Sequence, residues 1–252
     1  MIFQNKNILI TGASSGLGLY LAEHFNKKNA NLICVGKSKL KIKKILKDLD
    51  NKKINFLSLD LTKDKNLKKL LGFITKKKQK IDIIIHCMGG GFGKKDHLIN
   101  KKDFEFLMKV NLGVSIEINK YIIEKKLYRD LKIIHIGSVA SIENVASVGY
   151  STSKAALIGY VKTVSKYFLN KKIFISSVLP GAFEYKGNSF ERLKNRNIKE
   201  YSKFIKKRLP LGYIPKPDGL TSMIELMISN KGKMFTGSSI ILDYGESNSF
   251  RF

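Results

Sequence analysis

Tyr150 and Lys154 lie four residues apart, and Ser138 precedes Tyr150 by twelve residues. If this segment is helical, the tyrosine and the lysine share one face, because residues i and i+4 are neighbours on a helix. An ammonium beside a phenol favours the phenolate. Lowering a tyrosine pKa from about 10 to neutrality takes ~3 units, or roughly 4 kcal/mol, and one cation in a partly dry site can supply much of that. The spacing predicts an acid–base pair, with a solvated tyrosine and lysine as the alternative.

A glycine-rich turn follows the first predicted strand, Asn7–Thr11, and precedes a helix that runs through Lys28. Its spacing is Gly12-x-x-x-Gly16-x-Gly18. Glycines between a strand and a helix let backbone N–H groups and the helix N-terminus approach a pyrophosphate. We therefore expect a dinucleotide site at this turn, whereas a tight turn without a ligand is the alternative.

The second predicted strand, Leu32–Val35, is followed by Gly36, Lys37 and Ser38. In NAD-binding proteins an acidic residue at this strand end binds the ribose 2′-hydroxyl, where it would repel a 2′-phosphate. This sequence has no carboxylate there and adds the cation of Lys37. NADP is therefore the expected cofactor, with NAD as the alternative. In so basic a chain, Lys37 could equally be an ordinary surface lysine, so the missing acid is the better argument.

Strands and helices alternate along the whole chain. Further strands are predicted at Ile54–Leu59, Ile81–Met88, Ile133–Gly137, Ile173–Leu179 and Ser239–Leu242. Helices are predicted at Lys39–Asp50, in a segment ending near Lys78, and at Lys102–Lys126, Gly149–Leu169, Asn188–Arg208 and Asp218–Ser229. The alternation predicts one α/β domain over residues 1–252, a three-layered Rossmann-type fold with a doubly wound parallel sheet. Ligands in such sheets bind beyond the carboxyl ends of the strands, where the chain has Thr11, Lys37, Asp60, Gly89, Ser138 and Pro180.

The composition limits the classes of function. Of the 252 residues 43% are hydrophobic, and the formal charge at pH 7 is +27. No stretch has the ~18 uninterrupted apolar residues of a membrane span, and the first residues lack the layout of a secretory signal. The two cysteines, Cys34 and Cys87, favour reduced thiols in a cytoplasmic protein. Because the lysines are dispersed over most predicted helices, a general compositional bias is favoured over a nucleic-acid site, with an acidic partner as the minority alternative.

With these residues in place, the chain resembles the short-chain dehydrogenase/reductase family over essentially its whole length. The matching motifs in chain order are Thr11-Gly12-x-x-x-Gly16-x-Gly18, Asp60, Asn111, Ser138, Tyr150-x-x-x-Lys154 and Pro180-Gly181. Each motif alone is moderate support for the resemblance, whereas the ordered set at these spacings is highly specific.

The resemblance implies a catalytic set of Asn111, Ser138, Tyr150 and Lys154. Tyr150 would exchange a proton with the substrate oxygen, which Ser138 would hold, while hydride passes to or from the nicotinamide. Lys154 would bind the nicotinamide ribose and lower the tyrosine pKa, and Asn111 would anchor a water of the proton relay. No metal is expected. The residues expected to contact the cofactor are Gly12, Ser14, Ser15, Gly16, Leu17, Gly18, Lys37, Ser38, Asp60, Leu61, Gly89, Tyr150, Lys154, Pro180 and Gly181.

Three positions depart from the family pattern. The sequence has His86-Cys87-Met88-Gly89 where Asn-Asn-Ala-Gly is usual, Tyr185 at a common threonine position, and Asp243-Tyr244-Gly245 in place of Asp-Gly-Gly. The retained glycine keeps a cofactor contact from the fourth strand in the prediction, whereas the side-chain network there is open. We expect His86 to be a hydrogen-bonded structural residue, because Tyr150 already fills the acid–base role.

The expected substrate is a small molecule with a carbonyl or a secondary alcohol. The segment after Pro180 mixes aromatic and polar residues, namely Phe183, Glu184, Tyr185, Asn188 and Phe190. This mixture, together with a loop at His86–Gly93 that looks like those of family members in bacterial surface-sugar pathways, favours a sugar-type substrate. The main alternative is a 3-oxoacyl-[acyl-carrier-protein] reductase, for which a basic surface would suit an acidic carrier. A non-catalytic dinucleotide sensor is less favoured, because such proteins typically lose the tyrosine or the lysine.

Two predicted helices carry more apolar residues than one sheet-facing stripe requires. These residues are Phe104, Leu107, Met108, Val114, Ile118, Ile122, Leu157, Val161, Val164 and Phe168. Family members that the chain resembles pair these two helices across a two-fold axis. We therefore expect a homodimer, or a homotetramer that also uses the region Ile240–Tyr244.

Overall fold

The computed structural model describes residues 3–47, 49 and 53–249, and in this part of the chain the strands form one seven-stranded sheet. The strands are β1 (Asn7–Thr11), β2 (Asn31–Gly36), β3 (Ile54–Ser58), β4 (Ile81–His86), β5 (Tyr128–Ile136), β6 (Ile173–Pro180) and β7 (Ser239–Leu242). Their order across the sheet is β3-β2-β1-β4-β5-β6-β7, with every neighbouring pair parallel. The predicted doubly wound α/β fold is confirmed.

Helices cover both faces of this sheet. They are α1 (Gly16–Lys27), α2 (Lys39–Lys47), α3 (Asp64–Lys76), α4 (Lys101–Met108), α5 (Val114–Glu124), α6 (Val148–Phe168), α7 (Ser189–Arg196), α8 (Ile198–Arg208) and α9 (Asp218–Ile228). The predicted end of α2 at Asp50 lies outside the described residues. No helix in the described ranges is long and apolar enough to span a membrane.

The core has one layer on each side of the sheet. Ile8 and Ile10 of β1 pack on one side in a cluster with Phe25 of α1, whereas Leu9 of the same strand packs on the other side with Ile118 of α5. Because side chains alternate across a strand, a strand covered on both faces must be apolar at consecutive positions. This explains why β1 and β4 are near-continuous runs of isoleucine and leucine.

Two segments predicted as single helices are interrupted. The segment Lys102–Lys126 contains a π-helical turn at Lys109–Gly113, between α4 and α5. The segment Asn188–Arg208 breaks at Asn197, where φ is −153° and ψ is 89°. The Asn197 side chain there accepts a hydrogen bond from the Glu200 N–H at 3.0 Å. Asparagine favours such N-cap positions over helix interiors, which explains the break.

The sheet order reverses between β1 and β4, which lie side by side at its centre. Ligands bind at such switch points, beyond the carboxyl ends of the strands. Here β1 ends at Thr11, paired with His86 at the end of β4, and β5 ends next to it at Ile136. The residues predicted to do chemistry lie on the segments that leave these strand ends.

Candidate active site

Lys154 lies in the first half of α6 with its side chain buried under the strand ends. It is 3% exposed, and its Nζ donates a hydrogen bond of 2.6 Å to the main-chain oxygen of Ile136, at the end of β5. Burial disfavours the charged ammonium and lowers the pKa of Lys154 to about 8. The ammonium lies 5.8 Å from the centre of the Tyr150 ring. The structure thus brings together the pair that the i, i+4 spacing predicted.

Ser138 is the polar side chain that interacts with the Tyr150 phenol and lowers its pKa. Ser138 follows the end of β5, and its Oγ also accepts a hydrogen bond of 3.2 Å from the Ala140 N–H in the short turn Val139–Ser141. Burial raises the pKa of the Tyr150 phenol, and the interaction with Ser138 only partly opposes that rise. The direction is opposite to the lowering expected from Lys154, because burial outweighs the other interactions of the phenol. At neutral pH Tyr150 is therefore protonated.

Asn111 lies in the π-helical turn and binds the loop that follows β4. Its Oδ1 accepts from the Gly90 N–H at 2.8 Å, and its Nδ2 donates to the main-chain oxygens of Gly90 at 3.1 Å and Leu107 at 3.0 Å. A Cβ on Gly89 would lie 2.6 Å from Asn111 Oδ1 and 3.2 Å from Lys154 Nζ. Gly89, Asn111 and Lys154 are therefore in direct proximity. π-Helical turns inside helices are frequent at functional sites, and this one aims Asn111 at the strand ends.

In the glycine-rich turn between β1 and α1, the positions of Gly12 and Gly18 have no room for a side chain. A Cβ on Gly12 would lie 2.8 Å from the Met88 nitrogen, and a Cβ on Gly18 would lie 2.4 Å from the Gly12 oxygen. Ser15 is the N-cap of α1, and within the described residues its side chain makes no capping hydrogen bond. The Ser15 side chain therefore does not compete with an anion for the positive end of the α1 dipole. This close-packed backbone at a helix start fits the pyrophosphate of a dinucleotide.

The segment after β6 folds over the same turn. The Gly16 N–H donates a hydrogen bond of 2.9 Å to the Lys186 oxygen. The Tyr185 hydroxyl donates to a carboxylate oxygen of Glu23 in α1, and the Tyr185 ring packs edge-on against Tyr20 with centroids 4.9 Å apart. Tyr185 is therefore engaged by α1, whereas the threonine usual at this position would offer its hydroxyl to the nicotinamide side.

Lys37 forms an ion pair with Asp60, the residue expected near the adenine. Nζ and Oδ2 are 3.0 Å apart, and the lysine side chain is 78% exposed. Burial would raise the pKa of Asp60, but hydrogen bonds from Thr62 and Lys37 outweigh it and hold that pKa below its ordinary value. A Cβ on Gly36 would lie 2.5 Å from the Ser14 Cβ. Position 36 therefore cannot carry an acidic side chain unless Ser14 moves.

Three other predicted cofactor residues offer little from their side chains. Leu17 and Leu61 are 4% and 2% exposed and belong to the core, so only their backbones can face a ligand. The Ser38 Oγ accepts a long hydrogen bond of 3.4 Å from the Lys41 N–H, at the start of α2. Cofactor contact by these three residues stays a prediction, through the backbone at Leu17 and Leu61 and through the hydroxyl at Ser38.

A family model described as short chain dehydrogenase matches residues 6–195. The chain belongs to the short-chain dehydrogenase/reductase family. It is accordingly an NAD(P)-dependent oxidoreductase.

Curated relatives of this short-chain dehydrogenase/reductase match over nearly their full length. The 3-oxoacyl-[acyl-carrier-protein] reductase of Aquifex aeolicus (strain VF5) is 27% identical over 247 residues, covering 96% of this chain and 97% of the relative. The protein of the same name from Buchnera aphidicola subsp. Baizongia pistaciae (strain Bp) is 30% identical over 245 residues, covering 95% of this chain and 96% of the relative. A solved structure, L-sorbose reductase from Gluconobacter frateurii complexed with NADPH and L-sorbose, has a TM-score of 0.87 at 18% identity and covers 98% of each chain. At that identity the structural likeness shows the fold alone.

A buried polar cluster in this short-chain dehydrogenase/reductase lies between β4, β5 and the helices beside them. His86 Nε2 binds Asn119 Oδ1 at 2.9 Å, and Asn119 Nδ2 lies 3.3 Å from His135 Nε2 and donates to the Tyr160 hydroxyl at 3.2 Å. The two imidazole rings are 4.7 Å apart. Burial lowers the pKa of His86 to about 4 and that of His135 well below its ordinary value, so both rings are neutral. The prediction that His86 is a hydrogen-bonded residue is confirmed, whereas its partners were not identified from the sequence.

Proposed function

We propose that the protein is an NADPH-dependent reductase of 3-oxoacyl thioesters. The observation that carries this proposal is the similarity, over nearly the whole chain, to curated 3-oxoacyl-[acyl-carrier-protein] reductases at 27% and 30% identity. The formal charge of +27 supports it, because an acidic carrier would be attracted to a basic surface. We take the chain to act as one catalytic domain.

The proposed catalytic roles follow from the protonation states. A phenol that burial keeps protonated is suited to donate its proton, so Tyr150 is the proposed general acid in carbonyl reduction. Ser138, which interacts with the Tyr150 phenol, would bind the same carbonyl oxygen. Lys154, held by the Ile136 oxygen, would orient the nicotinamide ribose and replace the proton on Tyr150. Bound NADPH supplies the hydride.

Asn111 is proposed to hold the relay water through its backbone. Its side-chain amide is already occupied by Gly90 and Leu107. The side chain therefore shapes the loop after β4, and the main-chain carbonyl of Asn111 is the group assigned to the water. The π-helical turn supports this, because it alters the hydrogen-bond pattern of the helix at this position.

The polar side chains after Pro180 are largely engaged within the segment itself. Glu184 accepts from the Tyr201 hydroxyl at 2.8 Å and pairs with Lys194 at 3.2 Å. Asn188 donates to a main-chain oxygen of its own loop at 2.5 Å and caps α7, and Tyr185 binds Glu23. These groups favoured a sugar-type substrate when only the sequence was considered. Their engagement within this segment favours an acyl substrate instead.

The proposed preference for NADPH depends on the cationic side of the nucleotide turn. Lys37 is exposed, and Gly36 leaves no room for the acidic side chain that NAD-binding proteins use there. A second cation lies close by: a Cβ on Gly187 would lie 3.3 Å from Lys41 Nζ and 3.0 Å from the Ser15 Cβ. The sequence alone does not distinguish Lys41 from the other lysines of α2.

One assay panel tests the substrate proposal. NADPH oxidation is measured against a 3-oxoacyl-carrier-protein, a short 3-oxoacyl thioester, a keto-sugar and a simple ketone, with Tyr150→Phe as the matched control. We expect the highest kcat/KM with the carrier-bound thioester. Preference for the keto-sugar would overturn the acyl proposal and support the sugar-type substrate. Cofactor binding without turnover of any carbonyl would support the sensor hypothesis.

We also propose a homodimer through α4–α5 and α6. Several apolar residues counted toward this interface in the sequence are buried inside the subunit: Leu107, Val114, Ile118, Ile122, Leu157 and Val161. The outward face of α6 instead carries the small residues Thr152, Ala155, Gly159 and Thr163. A Cβ on Gly159 would meet no described atom within 4 Å, so a second helix could approach closely here. A tetramer would add the outer edge of β7 and Tyr244, which is 48% exposed. We also propose that the protein is cytoplasmic.

A further inference from the structure

Arg208 is the last residue of α8 and forms ion pairs with two carboxylates from distant parts of the chain. Its Nη1 and Nη2 donate to Oε1 and Oε2 of Glu143 at 3.2 and 3.0 Å, a two-pronged contact. Nη2 also lies 3.6 Å from Oε1 of Glu246. The side chains of Arg208, Glu143 and Glu246 are 18%, 16% and 5% exposed. Charge pairs shielded from water in this way are screened far less than surface pairs.

Glu143 belongs to the segment that carries Ser138. The short turn after Ser138 is closed by the Ser141 N–H donating to the Ser138 oxygen at 2.9 Å. The next turn places Glu143 N–H on the Val139 oxygen at 3.1 Å. A displacement of the Glu143 side chain would therefore act on the backbone that positions the Ser138 hydroxyl.

Glu246 holds the turn on the nicotinamide side. Its Oε2 accepts from the Ala182 N–H at 2.5 Å, directly after Pro180-Gly181 at the end of β6. A Cβ on Gly181 would lie 2.5 Å from that same oxygen, so the carboxylate packs tightly on the turn. Burial raises the pKa of Glu246, and the Ala182 N–H and Arg208 oppose that rise.

We propose that Arg208 is a positioning residue: its guanidinium fixes the Ser138 segment and the Pro180–Ala182 turn relative to one another and ties both to α8. The guanidinium adds a charged link to other contacts between these parts: Ala182 packs in one cluster with Tyr201 of α8, and Glu143 also accepts from the Asn248 N–H at 3.3 Å. Arg208 does not reach the reacting atoms. It acts through Glu143 on the residue that would hold the carbonyl oxygen, and through Glu246 on the turn that would face the nicotinamide. The inference rests on the proposed catalytic roles of Ser138 and of this turn.

The test compares substitutions at Arg208 with one at a matched exposed arginine. Arg208→Met keeps length and removes the charge, and Arg208→Lys keeps the charge and loses the two-pronged contact. Arg196→Met is the control. Arg196 ends α7, its side chain is 72% exposed, and its ion pair with Glu200 is long, at 4.0 Å. Glu143→Gln and Glu246→Gln remove one link each while keeping side-chain shape.

Two readouts distinguish positioning from plain stabilisation. We expect Arg208→Met to lower kcat on the order of tenfold or more, because small misplacements of reacting groups are costly, while the NADPH Kd changes less than about threefold, since most of its binding contacts are elsewhere. Arg208→Lys should recover part of kcat, and Arg196→Met should match wild type. The nicotinamide fluorescence of bound NADPH should fall in Arg208→Met at equal saturation. This readout needs no turnover, so it remains informative even if the proposed substrate is wrong.

A purely structural role of the Arg208 network predicts a different result. If Arg208→Met, Arg208→Lys and both glutamine variants lose thermal stability while the folded fraction keeps wild-type kcat and wild-type NADPH fluorescence, the network only stabilises the fold and the inference is overturned. If Arg208→Met does not fold, the lysine and glutamine variants decide by the same two readouts.

Discussion

At the scale of single residues, the pKa of Tyr150 reflects a balance between burial and its interaction with Ser138. Burial raises the pKa of the phenol, and Ser138 opposes the rise. Lys154 does not offset this rise: its Nζ lies 5.8 Å from the centre of the Tyr150 ring and donates to the Ile136 oxygen. The result is a protonated phenol beside a cation that can return a proton. That arrangement favours carbonyl reduction at neutral pH.

Tyr150→Phe is predicted to abolish most of the activity while leaving the fold intact. The change removes one hydroxyl, so kcat should fall by at least the ~100-fold typical of a lost general acid, with little change in melting temperature or NADPH affinity. Tyr167→Phe is the control, because Tyr167 lies on the same helix and is 69% exposed. Steady-state kinetics decide the matter: a Tyr150→Phe enzyme with more than about a tenth of wild-type kcat contradicts the assigned role.

Lys37→Ala is predicted to weaken NADPH use selectively. Loss of one charge-assisted contact to a 2′-phosphate should raise the KM for NADPH on the order of tenfold. The KM for NADH should stay within about twofold, since NADH lacks the 2′-phosphate that Lys37 would contact. Lys41→Ala should act in the same direction, whereas Lys69→Ala on the exposed face of α3 should have no effect. Equal changes for both cofactors, or a wild-type preference for NADH, would show that these lysines do not read the phosphate.

At the scale of secondary structure elements, strands were more predictable than helix interruptions. Parallel strands buried on both faces appear in the sequence as apolar runs, so β1 begins and ends where the pattern placed it. The half-buried edge strand β7 also matches its predicted bounds, whereas β5 begins at Tyr128 and not at the predicted Ile133. The π-helical turn at Lys109–Gly113 leaves no such signature: Val110, Asn111 and Gly113 are weak helix formers, but such residues also occur within continuous helices. Asn197 did offer a signal, since asparagine followed three residues later by Glu200 is a helix-start pattern.

Within the candidate site, some features could be predicted from the sequence and others could not. Ser138, Tyr150 and Lys154 could be located because local spacing and a family motif fix them on known elements. The Arg208 network could not be found, because Glu143 and Arg208 are 65 residues apart in the sequence and meet only when the chain folds. The direction of the Tyr150 pKa could not be predicted either, since it depends on how deeply the phenol is buried.

The histidine pair between β4 and β5 is predicted to make the fold sensitive to acid. In the unfolded chain His86 titrates near ~6.5, whereas burial holds its folded pKa at about 4. The unfolded state therefore binds the proton first, so stability present above pH ~6.5 is lost as the pH falls toward 4. For His86 alone this is on the order of 3 kcal/mol, and the lowered pKa of His135 acts in the same direction.

His86→Asn should reduce this loss of stability. Urea unfolding at about pH 7 and pH 5 measures the free energy of unfolding under both conditions. We expect a smaller difference between the two values in His86→Asn than in wild type, because one group that titrates only in the unfolded state is gone. His97→Asn, at an exposed histidine, should leave the difference unchanged. A difference in His86→Asn as large as in wild type would show that His86 carries none of the acid sensitivity.

At the scale of the whole molecule, charge and surface shape act against each other. A formal charge of +27 on each chain opposes association, but salt at physiological concentration screens exposed charges over ~8 Å. The small-residue face of α6 offers close backbone contact, which long lysine side chains would otherwise prevent. We therefore predict a dimer at physiological salt whose dissociation increases as the salt concentration falls.

Light scattering tests this assembly, and a pair of matched glycines sharpens the result. A Cβ on Gly159 of α6 or on Gly72 of α3 would meet no described atom within 4 Å, so an arginine fits either position in the monomer. Because Gly159 lies on the proposed contact face, Gly159→Arg should place two long cations against the two-fold axis and give a monomer of 28.5 kDa. Gly72→Arg adds the same charge on another helix and should remain dimeric. A wild-type protein that scatters as a 28.5 kDa species at physiological salt would refute the dimer. Equal dissociation of both variants would show that added charge, and not the α6 face, controls association.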